Sequence, residues 1–209
     1  MLNPRGWLIA VVLLGAAALS GCTGPAEPIW DTDAFVSRAT YSHSGPTTLT
    51  LFTVINNKTG AGAHSALMVN AGQRVIFDPA GTWHHPQLPE RNDVHFGMSD
   101  RIVDFYVDYH SRVTHHTIIQ EIQVSPAVAQ RAMSEIMSYG AVPKAQCSHA
   151  ITAVLENVPG FQSVGRTWFP KQLSERFAAL QGVETDKVYD FDPGDNSGLI
   201  AAPPVIFDQ

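Results

Sequence analysis

Between Thr48 and Val124 the chain is a succession of short segments rich in β-branched and aromatic residues; beyond Ser125 that pattern stops and apolar residues recur at helical spacing. This order, strands first and helices afterwards, most narrows the folds open to the chain. TLTLFTVIN (48–56), HSALMVN (64–70), QRVIFD (73–78), RIVDFYVDY (101–109) and HTIIQEIQV (116–124) read as strands. Ser125-Pro126 is an N-cap and first-turn pair that opens a helix to about Tyr139, with Gly140 as its stop. A second helix runs from about Cys147 to Val158 and ends at Pro159-Gly160, and a third covers about Lys171 to Leu180. The predicted class is α+β, an antiparallel sheet packed against helices on one side.

The N-terminus bears on compartment. MLNPRGWLIAVVLLGAAALSGC pairs one basic residue, Arg5, with an apolar stretch from Trp7 to Leu19 and the small-residue sequence Leu19-Ser20-Gly21-Cys22. The apolar run falls short of the roughly 18–20 residues a bilayer needs, so it reads as an export signal rather than a spanning helix. Its last four residues resemble a bacterial lipobox, which implies cleavage before Cys22 and attachment of lipid to that cysteine. Thr23, rather than Asp, follows the lipidated position, and by resemblance to the enterobacterial sorting rule this implies an outer-membrane anchor facing the periplasm. The chain then divides into a signal peptide (1–21), a lipid-anchored tether (22–33), a domain (34–183) and an acidic C-terminal tail (184–209) rich in Pro, Gly and Asp and expected to be irregular.

The formal net charge is −6, and loss of the signal, whose only charged side chain is Arg5, makes it more negative. Such a balance argues against nucleic acid or anionic head groups as partners. The chain has two cysteines. With Cys22 acylated, Cys147 has no intramolecular partner, which excludes a structural disulfide. A lone thiol in an oxidising envelope is either well buried or useful. On a 3.6-residue period Cys147, Ile151, Val154, Leu155 and Val158 share a stripe that faces the core. Cys147 stands at the helix start, where unpaired N–H groups and the positive end of the dipole stabilise a thiolate and can hold an oxyanion. His149 points roughly 200° round the helix from the thiol, so a base must come from elsewhere.

Among nine histidines, His64 stands apart because glycines and alanines precede it in GAGAHSALMVNAGQRVIFDPAG. Asn70-Ala71-Gly72 suits a three-residue hairpin loop with Gly72 left-handed, which pairs Val69 with Gln73 and sets His64 opposite Asp78. A two-residue Ala-Gly loop would pair His64 with Pro79 and keep Asp78 adjacent. Opposed residues on one sheet face lie about 5 Å apart, so the Asp78 carboxylate can orient and polarise the imidazole.

A strand opening with His64-Ser65-Ala66-Leu67, a hairpin returning to Phe77-Asp78-Pro79-Ala80-Gly81, and Gln146-Cys147-Ser148-His149 at a helix start resemble the circularly permuted branch of the NlpC-type papain-like superfamily, which includes the lecithin retinol acyltransferase-like proteins. TWFPKQL (167–173) is similar to the Pro-containing segment that follows the cysteine helix in bacterial members. The resemblance spans roughly residues 48–173. It implies a permuted papain-like fold with the histidine strand before the cysteine helix, Cys147 as nucleophile, His64 as base and Asp78 as the orienting third residue. The family more often has His, Asn, Gln or Glu about twelve residues after the histidine, and His84 is the alternative to Asp78. The implied activity is that of a cysteine hydrolase, an amidase, endopeptidase or acyltransferase working through a thioester. Its partners would be a peptidoglycan peptide or a lipid acyl substrate, and no cofactor or metal is expected.

Two other readings compete. A binding lipoprotein of the same fold would keep the pocket and lose the chemistry. A metal-binding lipoprotein would use TWHHP (82–86), His95 and HSRVTHH (110–116), although adjacent histidines on a strand face opposite ways and no established ligand spacing is present. The anchor is tested directly: Cys22→Ala should leave the precursor uncleaved by the lipoprotein signal peptidase and abolish incorporation of labelled fatty acid, and normal labelling of that variant would refute it.

Overall fold

The computed structural model describes residues 26–201, so the signal sequence and Cys22 lie outside the described residues. The fold is α+β, built on a seven-stranded antiparallel sheet in the order β4-β5-β3-β2-β1-β6-β7. The strands are β1 (Thr48–Asn56), β2 (Gly62–Asn70), β3 (Arg74–Phe77), β4 (Glu90–Arg91), β5 (Val94–Phe96), β6 (His115–Gln123) and β7 (Glu184–Tyr189). The helices are α1 (Asp33–Ala39), α2 (Asp100–His110), α3 (Pro126–Tyr139), α4 (Cys147–Glu156), α5 (Pro170–Ala178) and α6 (Ser197–Ala201). No helix among the described residues is long and apolar enough to cross a membrane.

β1 is the spine of the sheet, flanked by β2 and β6 and buried along almost its whole length. Because strand side chains alternate in direction, it feeds two cores. Leu49 and Leu51 join Leu67, Val69, Val75 and Phe77 under α3, α4 and α5. Phe52 joins Ala66, Met68 and Ile76 on the opposite face, covered by Trp83 and by Ile102, Tyr106 and Val107 of α2. Helices therefore cover both faces, not one.

This correction traces to residues 101–109, expected as a strand and found as α2. Their β-branched and aromatic content fits a strand, but Arg101 and Asp104 are exposed while Ile102, Tyr106, Val107 and Tyr109 are buried, a distribution that only a helical turn achieves. Burial against the sheet outweighs intrinsic propensity here. Residues 184–189 also differ from expectation. They form β7, pairing with β6, and their charged, mostly exposed side chains leave an edge that repels further strands. Past β7, Asn196 donates to the Tyr109 carbonyl at 2.8 Å, and Leu199 and Ile200 pack on the second core. At the other end, residues expected as tether dock onto the domain: Trp30 bridges to Arg91, and the Asp31 carboxylate accepts the Glu90 N–H at 2.8 Å.

The β2–β3 hairpin pairs Asn70 with Arg74 and Leu67 with Phe77, so the loop is Ala71-Gly72-Gln73. The expected pairing of Val69 with Gln73 is off, since Val69 pairs with Val75, and Gly72 is not in the left-handed region. The even separation of His64 and Asp78 survives, so both stay on one face. At the far end of β2 the register against β1 slips between Val54 and Ile55, which pair with His64 and Gly62 and leave Ala63 as the extra residue. Such a bulge bends the strand next to His64. Gly62 has no room for a side chain: a Cβ there would lie 2.5 Å from the Lys171 backbone nitrogen at the start of α5. Gly62→Val should therefore destabilise by about 1–3 kcal/mol, an overpacking cost. Gly72→Val, whose Cβ would meet nothing within 4 Å, should stay within roughly 0.5 kcal/mol in urea unfolding. Equal losses would place the close approach elsewhere.

Candidate active site

β3 ends because the chain turns away. Pro79 follows Asp78 and cannot donate to a ladder, Ala80 takes φ 58°, and the Gly81 N–H returns to the Asp78 carbonyl at 3.0 Å. Proline at the second position and positive φ at the third are the marks of a type II turn, with alanine where glycine is usual. Gly81 is constrained by its neighbour, since a Cβ there would stand 2.2 Å from an Asp78 carboxylate oxygen. With β3 finished at Phe77, β2 keeps β1 on one side but has no strand on the other from Ala66 back toward His64. This leaves a slot in the sheet.

The start of α4 fills that slot. Ala145, at φ 65°, turns the chain so that the helix begins at Cys147, and no side chain caps this end. The first N–H groups of a helix have no intrahelical partner and sit at the positive end of its dipole. Cys147 is a free thiol, 6% exposed, hydrogen-bonded to His64 and to the Ser65 backbone N–H, with the Ser148 hydroxyl 3.9 Å from Sγ. His64 Nε2 is paired with Asp78 Oδ1, so the other ring nitrogen faces the thiol. Asp78 is 1% exposed, and Tyr106 donates to the same Oδ1 at 3.0 Å. Thiol, imidazole, carboxylate and phenol thus form one hydrogen-bonded line.

Each group's charge state follows from its neighbours. Burial disfavours the charged form of His64, but the charge and hydrogen bond of Asp78, aided by Cys147, prevail and raise it to about 10. Burial likewise opposes ionisation of Asp78, yet His64 outweighs it and lowers the carboxyl to about 2. Burial also penalises the Cys147 thiolate; the His64 hydrogen bond and charge, the Ser65 N–H and the Ser148 hydroxyl more than compensate and lower it from the ordinary thiol value. Tyr106 is pushed well upward by burial and by the Asp78 charge, so it remains a donor. The set leans toward thiolate and imidazolium.

Two cavities adjoin the line, on either side of Gly81-Thr82. One of about 340 Å³ is lined by His64, Ala80, His110, Arg112 and His115. The other, of about 300 Å³, is lined by Asp78, Glu90, Asp93 and His95. Burial raises Glu90 to about 7 and Asp93 to about 6.

The structure therefore brings together Cys147, His64 and Asp78, three residues singled out in the sequence. His84 is exposed, reaches only the Thr82 carbonyl at 3.4 Å, and does not stand in the third position. His149 stacks on Trp168 with ring centroids 4.3 Å apart, on another side of α4 from the thiol. Among the described residues the histidines of 82–86, 95 and 110–116 do not gather into one cluster of their own: His85 packs on Phe105, His95 on Trp83 and His116 on Tyr189, while His110 lies instead beside His64 and Asp78. Sequence reasoning missed Tyr106 because its segment, 101–109, reads as a strand, and it placed His110 only in the candidate metal set 110–116, not beside His64 and Asp78. The spacing of four between Tyr106 and His110, after Ser99 as N-cap, is the signal that finds them.

The pH dependence has a defined sign. Depressed Asp78 contributes stability that is present above its unfolded value of about 4 and lost as pH falls through about 2. Raised His64 contributes stability that is present below about 6.5 and lost as pH rises through about 10. Asp78→Asn should flatten both limbs in thermal melts across pH and move alkylation of Cys147 to higher pH, because the imidazolium loses its counter-charge. An unchanged alkylation profile would show that Asp78 does not control the thiol.

No protein-family model, curated protein or solved structure matches the chain, so the chemistry of the site rests on its own geometry.

Proposed function

We propose that this chain is an envelope-anchored cysteine hydrolase of permuted papain-like design that cleaves an amide or ester through a thioester, with a cell-wall peptide as the substrate class. The observation that carries this reading is the line Cys147, His64, Asp78 at an uncapped helix start. Inert core cysteines do not need a charged imidazole and a buried carboxylate behind them. The Cys147 thiolate would attack the carbonyl carbon, with the developing oxyanion facing the free N–H groups of α4. His64 would give its proton to the departing amine or alkoxide, then take one from the water that hydrolyses the thioester. Asp78 would hold the ring and its charge, itself held by Tyr106. The apolar leader and Cys22 support the envelope location, where peptidoglycan amides are abundant and lipid acyl groups are the second candidate.

One observation favours a different reading. The thiol is 6% exposed and lines neither of the two cavities beside the site. A binding lipoprotein with a sealed thiol would have that property. Alkylation of the folded protein separates the two: the hydrolase should react with iodoacetamide near pH 6.5 faster than free cysteine, and a sealed thiol only on unfolding. On muropeptides and activated esters, Cys147→Ala should abolish turnover and His64→Ala should lower kcat by about 10²–10⁴-fold. His149→Ala should leave turnover unchanged. Mass spectrometry with a slow ester should find the acyl group on Cys147, and turnover by the Cys147→Ala protein would overturn the proposal.

A further inference from the structure

The larger cavity contains a second imidazole that hydrolysis does not use. His110 lies one helical turn beyond Tyr106 on α2, with its ring stacked on that of His64 at a centroid separation of 5.9 Å and 12° between planes. Its Nδ1–H donates to the Tyr106 carbonyl at 2.8 Å, which puts the lone pair on Nε2. That nitrogen makes no hydrogen bond among the described residues. An imidazole pinned through its far nitrogen to a backbone carbonyl is the usual support of a metal ligand. Asp78 adds a second unpartnered group. Its Oδ1 serves His64 and Tyr106, while Oδ2 is buried without a hydrogen-bond partner. One nitrogen each from His64 and His110 and one Asp78 oxygen all lie within 4.8 Å of one another.

We propose that His64, Asp78 and His110 form a binding site for a divalent transition-metal ion, separate from the thiol. Two imidazoles and a carboxylate are a donor set for zinc, with a fourth position left for water. The strand, the β3 turn and the second α-helix each supply one ligand, so the site exists only in the folded chain. Zinc enters in place of the proton shared by His64 and Asp78, which leaves to solvent. The ion sits on the Nε2 side of His64 and Cys147 on the other, so Sγ is beyond the roughly 2.3 Å of a zinc–sulfur bond. With Nε2 ligated, the remaining ring nitrogen carries the only ring proton and has no lone pair to accept another. On the hydrolase reading, the ion would thus take the base out of use; the binding site itself does not depend on that reading.

The test uses the full chain, stripped with a chelator and titrated with zinc sulfate or cobalt(II). The expected result is one saturable equivalent, with the visible bands of four-coordinate cobalt, no sulfur-to-cobalt charge-transfer band, and bleaching by zinc. His110→Ala, and His110→Gln should the alanine variant fail to fold, should each raise the zinc Kd at least ~10-fold. Cys147→Ser should leave it unchanged, as should the double change Asp190→Asn, Asp192→Asn, which removes the other acidic cluster that could hold an ion. Absence of saturable binding at micromolar metal would overturn the proposal. So would a wild-type Kd in both His110 variants, a charge-transfer band from Cys147, or loss of binding in the Asp190, Asp192 variant.

Discussion

Everything at the site depends on a carboxylate kept charged where water does not reach it. Asp78 is 1% exposed, and an isolated carboxylate buried so deeply would neutralise itself rather than bear the desolvation cost. Here a neighbouring imidazolium and a phenolic donor hold it ionised. Removing one partner of such a pair leaves an uncompensated buried charge, which is far more damaging than the pair is stabilising. Tyr106 is therefore as much a part of the arrangement as His64. The same carboxylate raises His64, and raised His64 lowers Cys147, so a single buried charge sets the protonation of the whole line.

Holding that charge in place is a matter of backbone geometry. The Pro79-Ala80 turn stops β3, orients Asp78 across the gap, and leaves the Ser65 N–H free to meet the thiol. A longer β3 would close the slot that α4 enters. Positive φ at Ala80 and Ala145 brackets the site, one residue at the carboxylate turn and one just before the nucleophile, and L-residues adopt that region only where surrounding structure enforces it. Gly62 and Gly81 act by absence of a side chain: one admits the start of α5, the other the Asp78 carboxylate. The bulge at Ala63 completes the set by bending β2 where His64 leaves it.

Long periodic segments were legible from residue order alone. β1 was delimited at both ends, and α3 was marked by Ser125-Pro126 and Gly140, because periodicity, caps and stops are local signals that tertiary contacts rarely override. α2 was not, since its aromatic and β-branched residues satisfy two periods at once and only the second core, waiting on the far face of the sheet, selects the helical one. The short β4–β5 hairpin, turned by Asn92 and Asp93 at positive φ, also went unread: two- and three-residue strands carry too little pattern to stand out. Misreading α2 hid Tyr106, whose phenol donates to Asp78, and hid the helical turn that brings His110 up beside it.

By itself the sequence determined the α+β segregation, the lone thiol at a helix start, and the even spacing that keeps His64 and Asp78 on one sheet face. These are properties of local periodicity and of the alternation of strand side chains. Only the tertiary structure decided the hairpin register, the slot left by the early end of β3, the placement of His64 between thiol and carboxylate, and the arrival of α2 with its phenol and second imidazole. Those depend on where one element stops and which face another covers, and such choices are settled by burial summed over the whole molecule rather than by any segment's own preference.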